Sequence, residues 1–248
     1  ASDVYKRQAS TSQDVFFAKY DSNGNLIWAK NIGGGIYNTS RRIVVDLSGN
    51  TYIMGYFQGT ADFDPSTTGT FNMTNVHGYY AWDTFFAKYD ASGNFIWAQK
   101  IEGTSDVAAR DLVIDNVGNL YLAGTIAGVA DFDPGVDTSN LDAANGAFFF
   151  AKYDSNGNYI WAKSLNATSG NNNLAVDNLG NIYLTGSYVF TVDFDPGAGV
   201  SNLTSSNSYN IFFAKYDSSG NYNWAKSIDN FSTEVSKSII VDAYNNIC

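Results

Sequence analysis

Apolar residues recur along this chain in short runs, separated by small clusters of Asp, Asn, Ser and Gly. One run reads FFAKYDSNGNLIWAK over 16–30, and it returns with small changes at 85–99, 149–163 and 212–226. Short apolar segments flanking an Asp-x-x-Gly-Asn cluster are typical of β-hairpins. The pattern predicts four aromatic hairpins whose second strands carry equivalent tryptophans: Trp28, Trp97, Trp161 and Trp224.

A second kind of hairpin lies between the aromatic ones, at 44–55, 113–124 and 175–186, and a fourth begins at 240–248. Each period therefore holds four strands. Because the aromatic strands are apolar on both faces, each sheet must be covered on both sides, which face-to-face stacking of small sheets achieves. The repeat predicts an all-β fold, a β-propeller with three complete four-stranded blades plus partial blades at both ends. The predicted blades cover about 36–101, 105–165 and 170–228.

The turn chemistry predicts both the loops and the strand register. In DSNGN, Asp21 caps the turn and Gly24 takes the left-handed conformation of a three-residue loop. If the strands continue from that loop without a bulge, Ala18 pairs with Trp28, so that a small residue lies opposite a large one. The same pairing is predicted in the other three aromatic hairpins. The connections that run through DFDP to the next aromatic hairpin are predicted to be long loops.

These motifs give the chain a family resemblance. The patterns D-x-x-G-N-x-Y-x-x-G, D-F-D-P and F-F-A-K-Y-D-x-x-G-N-x-x-W-A recur in order over about 14–248 and resemble the SBBP repeats of bacterial β-propellers. The last hairpin departs from the pattern, because Asn245 stands where the others have glycine. The resemblance implies a secreted or cell-surface bacterial protein and implies no particular biochemical activity.

The two ends of the chain depart from the repeat. Residues 1–13 do not fit it and are interpreted as a candidate non-native leader. Residues 14–248 are interpreted as a fragment of a larger propeller, and a four-bladed ring closed between the termini is the alternative.

Composition narrows the classes of function. The net charge is −10, and the Lys and Arg residues are spread along the repeats, which argues against nucleic-acid binding. No apolar run reaches the length of a membrane span. The single cysteine, Cys248, rules out a disulfide framework. The one histidine, His77, has no evident nucleophile partner, so the residues favour a protein that is not an enzyme.

We therefore predict an extracellular or cell-surface scaffold that binds a glycan or a protein partner. The alternative is part of a propeller enzyme, of quinoprotein or glycoside-processing type, whose active site lies outside these residues.

The DFDP motif is a candidate metal site. It places two carboxylates ahead of a proline turn, and these oxygens suit Ca²⁺, the one cofactor that the residues suggest. The alternative is that each aspartate caps a turn while the phenylalanine anchors the turn in the core. The candidate metal ligands are Asp62, Asp64, Asp131, Asp133, Asp193 and Asp195.

The segment 76–83 is a candidate ligand site, because it makes its connection longer than the two that follow. It carries Tyr79, Tyr80 and Trp82 close together. Exposed aromatic rings on a loop predict a platform for a sugar or a protein partner. The alternative is that these rings fold back onto the edge of the sheet.

Overall fold

The computed structural model describes residues 13–75, 81–167, 172–205, 209–229 and 236–248. The chain divides into two compact units, residues 1–102 and 103–248. Among the described residues every named element is a β-strand, and all pairings between named strands within each unit are antiparallel. The prediction of an all-β fold is confirmed.

The first unit holds one complete four-stranded sheet, a leading hairpin and a short hairpin. Its strands are β1 Val15–Tyr20, β2 Leu26–Gly34, β3 Tyr37–Val45, β4 Thr51–Gln58, β5 Thr60–Asp62, β6 Asn72–Thr74, β7 Asp83–Tyr89 and β8 Phe95–Gly103, the last ending at the unit boundary. Strands β3, β4, β7 and β8 pair in that order and form sheet I. Strands β1 and β2 form the leading hairpin, and β2 also pairs with β5 of the short β5–β6 hairpin.

The second unit holds two complete four-stranded sheets. Its strands are β9 Val107–Ile114, β10 Leu120–Asp131, β11 Asn140–Tyr153, β12 Tyr159–Leu165, β13 Asn173–Val176, β14 Ile182–Tyr188, β15 Thr191–Asp193, β16 Asn202–Thr204, β17 Asn210–Tyr216 and β18 Tyr222–Ile228. Strands β9 to β12 pair in chain order and form sheet II. Strands β13, β14, β17 and β18 pair in that order and form sheet III, and β15 pairs with β16.

An aspartate closes the tight turn of each hairpin. In the first turn Asp21 Oδ1 accepts the N–H of Asn23 at 2.9 Å and of Asn25 at 2.8 Å, while Gly24 adopts a φ of 82°. The same carboxylate contacts recur at Asp46, Asp90, Asp115, Asp154, Asp177, Asp217 and Asp242. Hydrogen bonds, the side chain of Asn25 first, hold the pKa of Asp21 below its ordinary value. The predicted turn is confirmed.

The strand register of the aromatic hairpins differs from the prediction. Lys19, and not Ala18, lies opposite Trp28, and Ala18 lies opposite Ala29. The register moves by one residue because Ile27 is an extra residue that forms a β-bulge. The other three aromatic hairpins have the same shift. The predicted alanine–tryptophan pairing is therefore wrong, and the bulge turns the tryptophan onto the face of the sheet that also carries the lysine.

The connections through DFDP are hairpins over part of their length, and not loops throughout as predicted. Strand β10 runs beyond sheet II to Asp131 and stays paired with β11, while β5–β6 and β15–β16 form separate short hairpins at the corresponding places. In β5–β6 the hydroxyls of Thr60 and Thr74 lie 2.9 Å apart, and Ala61 and Met73 are buried behind them. Strands of three residues are too short to be recognised from their apolar pattern.

Sheets pack face to face through aromatic side chains within each unit. In the first unit the rings of Phe17 in β1 and Tyr89 in β7 lie 4.8 Å apart, within a buried cluster of the leading hairpin and sheet I. In the second unit Phe150 in β11 and Tyr216 in β17 make the same contact at 4.6 Å between sheets II and III. Within each unit, one face of these aromatic strands is therefore covered by the neighbouring sheet or hairpin.

Candidate functional site

The first aspartate of each DFDP motif closes the turn at the end of the short hairpin. Asp62 Oδ1 accepts the N–H of Asp64 at 3.0 Å and of Phe71 at 2.8 Å. Asp131 and Asp193 make the equivalent pairs of contacts in the second unit. Two converging N–H groups satisfy one carboxylate oxygen without a cation.

The second aspartate and the phenylalanine of DFDP also have structural contacts. Asp64 Oδ1 accepts the N–H of Ser66 at 2.9 Å, and Asp133 and Asp195 each accept an N–H two residues ahead. The side chain of Phe63 is fully buried, as are those of its two counterparts. Its carbonyl accepts the hydroxyl of Tyr89 at 2.9 Å, a contact repeated between Tyr153 and Phe132 and between Tyr216 and Phe194.

These tyrosines are held in the neutral form. Burial first, and then the charges of Asp64 and Asp62, raise the pKa of the Tyr89 hydroxyl far above its ordinary value. Burial also raises the pKa of Tyr153 and of Tyr216, with neighbouring charges adding to the shift. Each hydroxyl therefore stays a hydrogen-bond donor beside the carboxylates.

The DFDP loops fit a turn anchor better than a complete calcium site. Ca²⁺ takes roughly six to eight oxygen ligands, whereas each motif brings two carboxylates that already accept main-chain N–H groups. Among the described residues no group of three or more His, Cys, Asp and Glu side chains could hold a metal ion. Calcium binding at Asp62, Asp64 and their counterparts stays a prediction.

Only part of the predicted aromatic platform lies within the described residues. Tyr79 and Tyr80 lie outside them, as does His77. Trp82 is partly exposed and makes edge-to-face contacts with the rings of Tyr37 at 4.8 Å and Tyr56 at 6.3 Å. Its ring therefore forms one aromatic cluster with strands β3 and β4.

Two of the repeated tryptophans, Trp28 and Trp161, join neighbouring sheets or hairpins through hydrogen bonds. Trp28 Nε1 donates to the carbonyl of Ala91, in the turn of the next aromatic hairpin, at 3.1 Å, and Lys19 Nζ donates to the same oxygen at 3.2 Å. Trp161 and Lys152 converge in the same way on the carbonyl of Ser218. These cations and indoles are therefore part of the packing between sheets.

Three repeated lysines also stack on the ring of a repeated tyrosine. Lys88 Nζ lies 4.9 Å from the ring centre of Tyr52, whose hydroxyl donates to the turn carboxylate of Asp46 at 3.2 Å. The same stack recurs at Lys152 and Tyr121, and at Lys215 and Tyr183. A general acid or base drawn from these groups would have to leave a cation–π contact or a turn cap, which argues against catalysis by the repeat itself.

Sequence reasoning missed one residue that departs from its repeat. Phe190 has a φ of 64°, whereas the two counterparts at the start of the other short hairpins are Gly59 and Gly128, with φ values of 74° and 73°. The carbonyl of Phe190 accepts the N–H of Ser205 just as that of Gly59 accepts the N–H of Asn75, so the backbone positions correspond. The signal was present in the sequence, because aligning the repeats on DFDP places phenylalanine over two glycines.

Phe190 combines strain with exposure. The left-handed conformation costs an L-residue about 1–2 kcal/mol. Phe190 nevertheless exposes 66% of its surface to solvent. Tyr209, which precedes β17 at the same end of sheet III, is 40% exposed. A strained and exposed aromatic residue in place of glycine is a candidate contact for a partner.

The architecture and these sites define an all-β repeat protein. The chain is 34% identical, over 113 residues, to an uncharacterised WD repeat-containing protein of Acanthamoeba polyphaga mimivirus. The matched segment is 45% of this chain and 8% of that relative, so the chain spans far less than two thirds of the relative's length. No protein-family model matches the chain, so the resemblance to SBBP repeats rests on its motifs.

The described residues were also compared with the requirements for a membrane-spanning helix. Among the described residues there is no helix with the length and apolar character needed to cross a bilayer.

Proposed function

We propose that this chain is a β-propeller segment that acts as a non-enzymatic scaffold for a protein partner, with Phe190 as a central contact. In this proposal sheets I, II and III are three complete blades, and the leading hairpin and 236–248 belong to further blades. The similarity to a WD repeat-containing protein supports the propeller. Phe190 carries the binding proposal, because its exposed ring offers area for contact at a position where the fold itself accepts glycine.

The structural use of the repeated polar groups supports a scaffold over an enzyme. The turn aspartates, the lysines and the buried tyrosines have contacts that hold turns or join sheets. An extracellular or cell-surface location, in a bacterium, is part of the proposal on the strength of the SBBP-like motifs.

Affinity capture tests the protein-binding proposal. Wild type, Phe190→Gly and the control Leu179→Ser are immobilised and exposed to an extract of cells that express the protein, and retained proteins are quantified by mass spectrometry. Leu179 is an equally prominent exposed apolar residue, in the turn between β13 and β14. A protein retained by wild type and the control but lost from Phe190→Gly supports the proposal. Identical sets on all three surfaces would contradict it.

A glycan is the second candidate partner, and the partly exposed Trp82 within an aromatic cluster favours it. If aromatic rings of 76–83 stack on sugar rings, the triple change Tyr79→Ala, Tyr80→Ala, Trp82→Ala should reduce binding on a glycan array by tenfold or more, about 1.4 kcal/mol. Unchanged melting serves as the control. Equal binding by wild type and the triple variant rejects this candidate.

A further inference from the structure

Three aromatic rings meet at one end of sheet I. The ring centre of Trp82 lies 4.8 Å from that of Tyr37 and 6.3 Å from that of Tyr56, both times edge to face. Tyr37 belongs to β3 and Tyr56 to β4, while Trp82 directly precedes β7. The cluster therefore joins three neighbouring strands of one sheet. Tyr37, Tyr56 and Trp82 are called the aromatic corner.

Sheet II has no counterpart of the aromatic corner. The strand pairings align its three residues with Asp106, Thr125 and Gly146. Two sheets with the same four-strand pairing thus form with and without these rings, so the repeat itself does not require them. A departure from a packing repeat is a place where a binding function can enter.

An arginine lies on the aromatic corner. Arg41 Cζ is 5.1 Å from the ring centre of Tyr56, within reach of a cation–π contact. Arg41 is exposed, and within the described part of the chain no carboxylate forms an ion pair with it. A guanidinium packed on a ring can still donate two parallel hydrogen bonds from its edge to a carboxylate. The corner therefore combines apolar rings with a cation that suits a carboxylate.

We propose that the aromatic corner and Arg41 together bind a carboxylate-bearing sugar, so that the glycan partner is acidic. The inference rests on the glycan candidate given above and adds its charge. Arg41 would pair with the carboxylate while the sugar ring lies against the partly exposed indole of Trp82. An aspartate or glutamate side chain of a protein fits less well, because it has no ring to cover the indole.

The net charge of the chain does not decide against an anionic ligand. That charge is −10, and the acidic residues are spread along the repeats. Exposed charges farther apart than about 8 Å are largely screened at physiological ionic strength. The cation in direct contact with the ligand therefore matters more than the total charge.

An array with three groups of glycans tests the inference: glycans that contain uronates, glycans that end in sialic acid, and neutral glycans. Wild type is expected to bind carboxylated glycans in preference to neutral ones, and the first two groups distinguish the kinds of acidic sugar. Arg41→Gln should weaken binding by about tenfold or more, because a hydrogen bond between charged groups is lost. Arg41→Lys should retain only part of the binding, since an ammonium lacks the planar fork.

Arg110→Gln is the matched control. Arg110 lies at the corresponding place in β9, where the strand register shifts by one residue as it does at Arg41, and it is also exposed. The control removes the same charge and leaves the aromatic corner intact, so its binding should equal that of wild type. Melting curves confirm that the variants fold, and Arg41→Lys is the milder variant if Arg41→Gln does not.

Trp82→Ala separates this inference from the glycan candidate on which it rests. Loss of binding to carboxylated glycans in both Trp82→Ala and Arg41→Gln supports an acidic sugar at the corner. Binding to neutral glycans that needs Trp82 but not Arg41 overturns the acidic sugar and keeps the glycan candidate, whereas wild type that binds no glycan overturns both. Equal losses in Arg41→Gln and Arg110→Gln would show a general effect of charge and also overturn the inference.

Discussion

Trp28 donates its indole N–H to the main-chain carbonyl of Ala91, 63 residues later in the chain, at 3.1 Å. The two residues belong to successive aromatic hairpins. The acceptor carbonyl lies in the same turn as Gly93, two residues before it, so the glycine is also close to the indole ring. A Cβ on Gly93 would lie 3.1 Å from ring atoms of Trp28. Gly93 therefore has two roles, the left-handed conformation and the room for the tryptophan of the preceding hairpin.

The two roles can be separated with a matched pair of substitutions. Gly24 and Gly93 occupy the same turn position with φ values of 82° and 76°, but a Cβ on Gly24 would meet nothing within 4 Å. Gly24→Ala should cost about 1–2 kcal/mol of unfolding free energy, the cost of the left-handed conformation alone. Gly93→Ala should cost about 1–3 kcal/mol more, because the methyl group displaces Trp28. Denaturant unfolding of both variants measures the difference, and equal costs would show that the indole contact does not constrain the turn.

The buried tyrosine beside each DFDP motif predicts an alkaline limit to stability. Tyr153 donates to the Phe132 carbonyl, and burial raises its pKa above the ordinary value of about 10. The unfolded chain releases this proton near pH 10 while the folded chain holds it, so stability is present below that pH and falls as pH rises above it. Tyr153→Phe should lose about 1–2 kcal/mol near neutral pH, because the buried carbonyl loses its donor.

The same variant should be less sensitive to alkali. With one titrating group removed, its unfolding free energy should fall less steeply above about pH 10, by up to about 1.4 kcal/mol per pH unit. Chemical denaturation from neutral pH to about pH 11 measures both slopes. Parallel curves for wild type and Tyr153→Phe would contradict the assignment of the alkaline limit to this hydroxyl.

Chelation decides between the two interpretations of DFDP. If the loops bind Ca²⁺, a chelator should lower the melting temperature and calcium should restore it, because a ligand that binds the folded state stabilises it. The contacts of Asp62 and Asp64 with main-chain N–H groups favour no change. Melting curves with chelator, with calcium and with magnesium as the ion control provide the comparison. A shift specific to calcium would show that the turn-anchor interpretation is incomplete.

The sequence predicts the structure correctly where a residue bonds to its own neighbours in the chain, as in the tight turns. Asp21 and Gly24 specify their turn without help from the rest of the chain, and the structure has that turn. The strand register could not be predicted from the turn. The bulge at Ile27 lets Trp28 and Lys19 donate hydrogen bonds to one carbonyl in the next hairpin. That contact joins residues far apart in sequence, and the turn alone carries no signal of it.

The residues that depart from the repeat could be predicted from the sequence only in part. The length and aromatic content of 76–83 stand out in the sequence, and Trp82 lies in an aromatic cluster with Tyr37 and Tyr56. Phe190 occupies a connection of ordinary length, and the sequence singles it out only when the repeats are aligned on DFDP, which places it over Gly59 and Gly128. Backbone strain is a property of the folded chain, which explains why composition and spacing did not indicate it.

The most direct test measures binding and stability of Phe190→Gly side by side. Glycine should stabilise the folded state by relieving about 1–2 kcal/mol of left-handed strain, and it should destabilise it by about 0.5–1 kcal/mol because the unfolded chain gains entropy. The unfolding free energy should therefore change by about 1 kcal/mol or less. The affinity for the protein captured by wild type should fall by tenfold or more, about 1.4 kcal/mol. Unchanged affinity, or a loss of several kcal/mol in unfolding free energy, would contradict the proposal that Phe190 is kept for a partner and not for the fold.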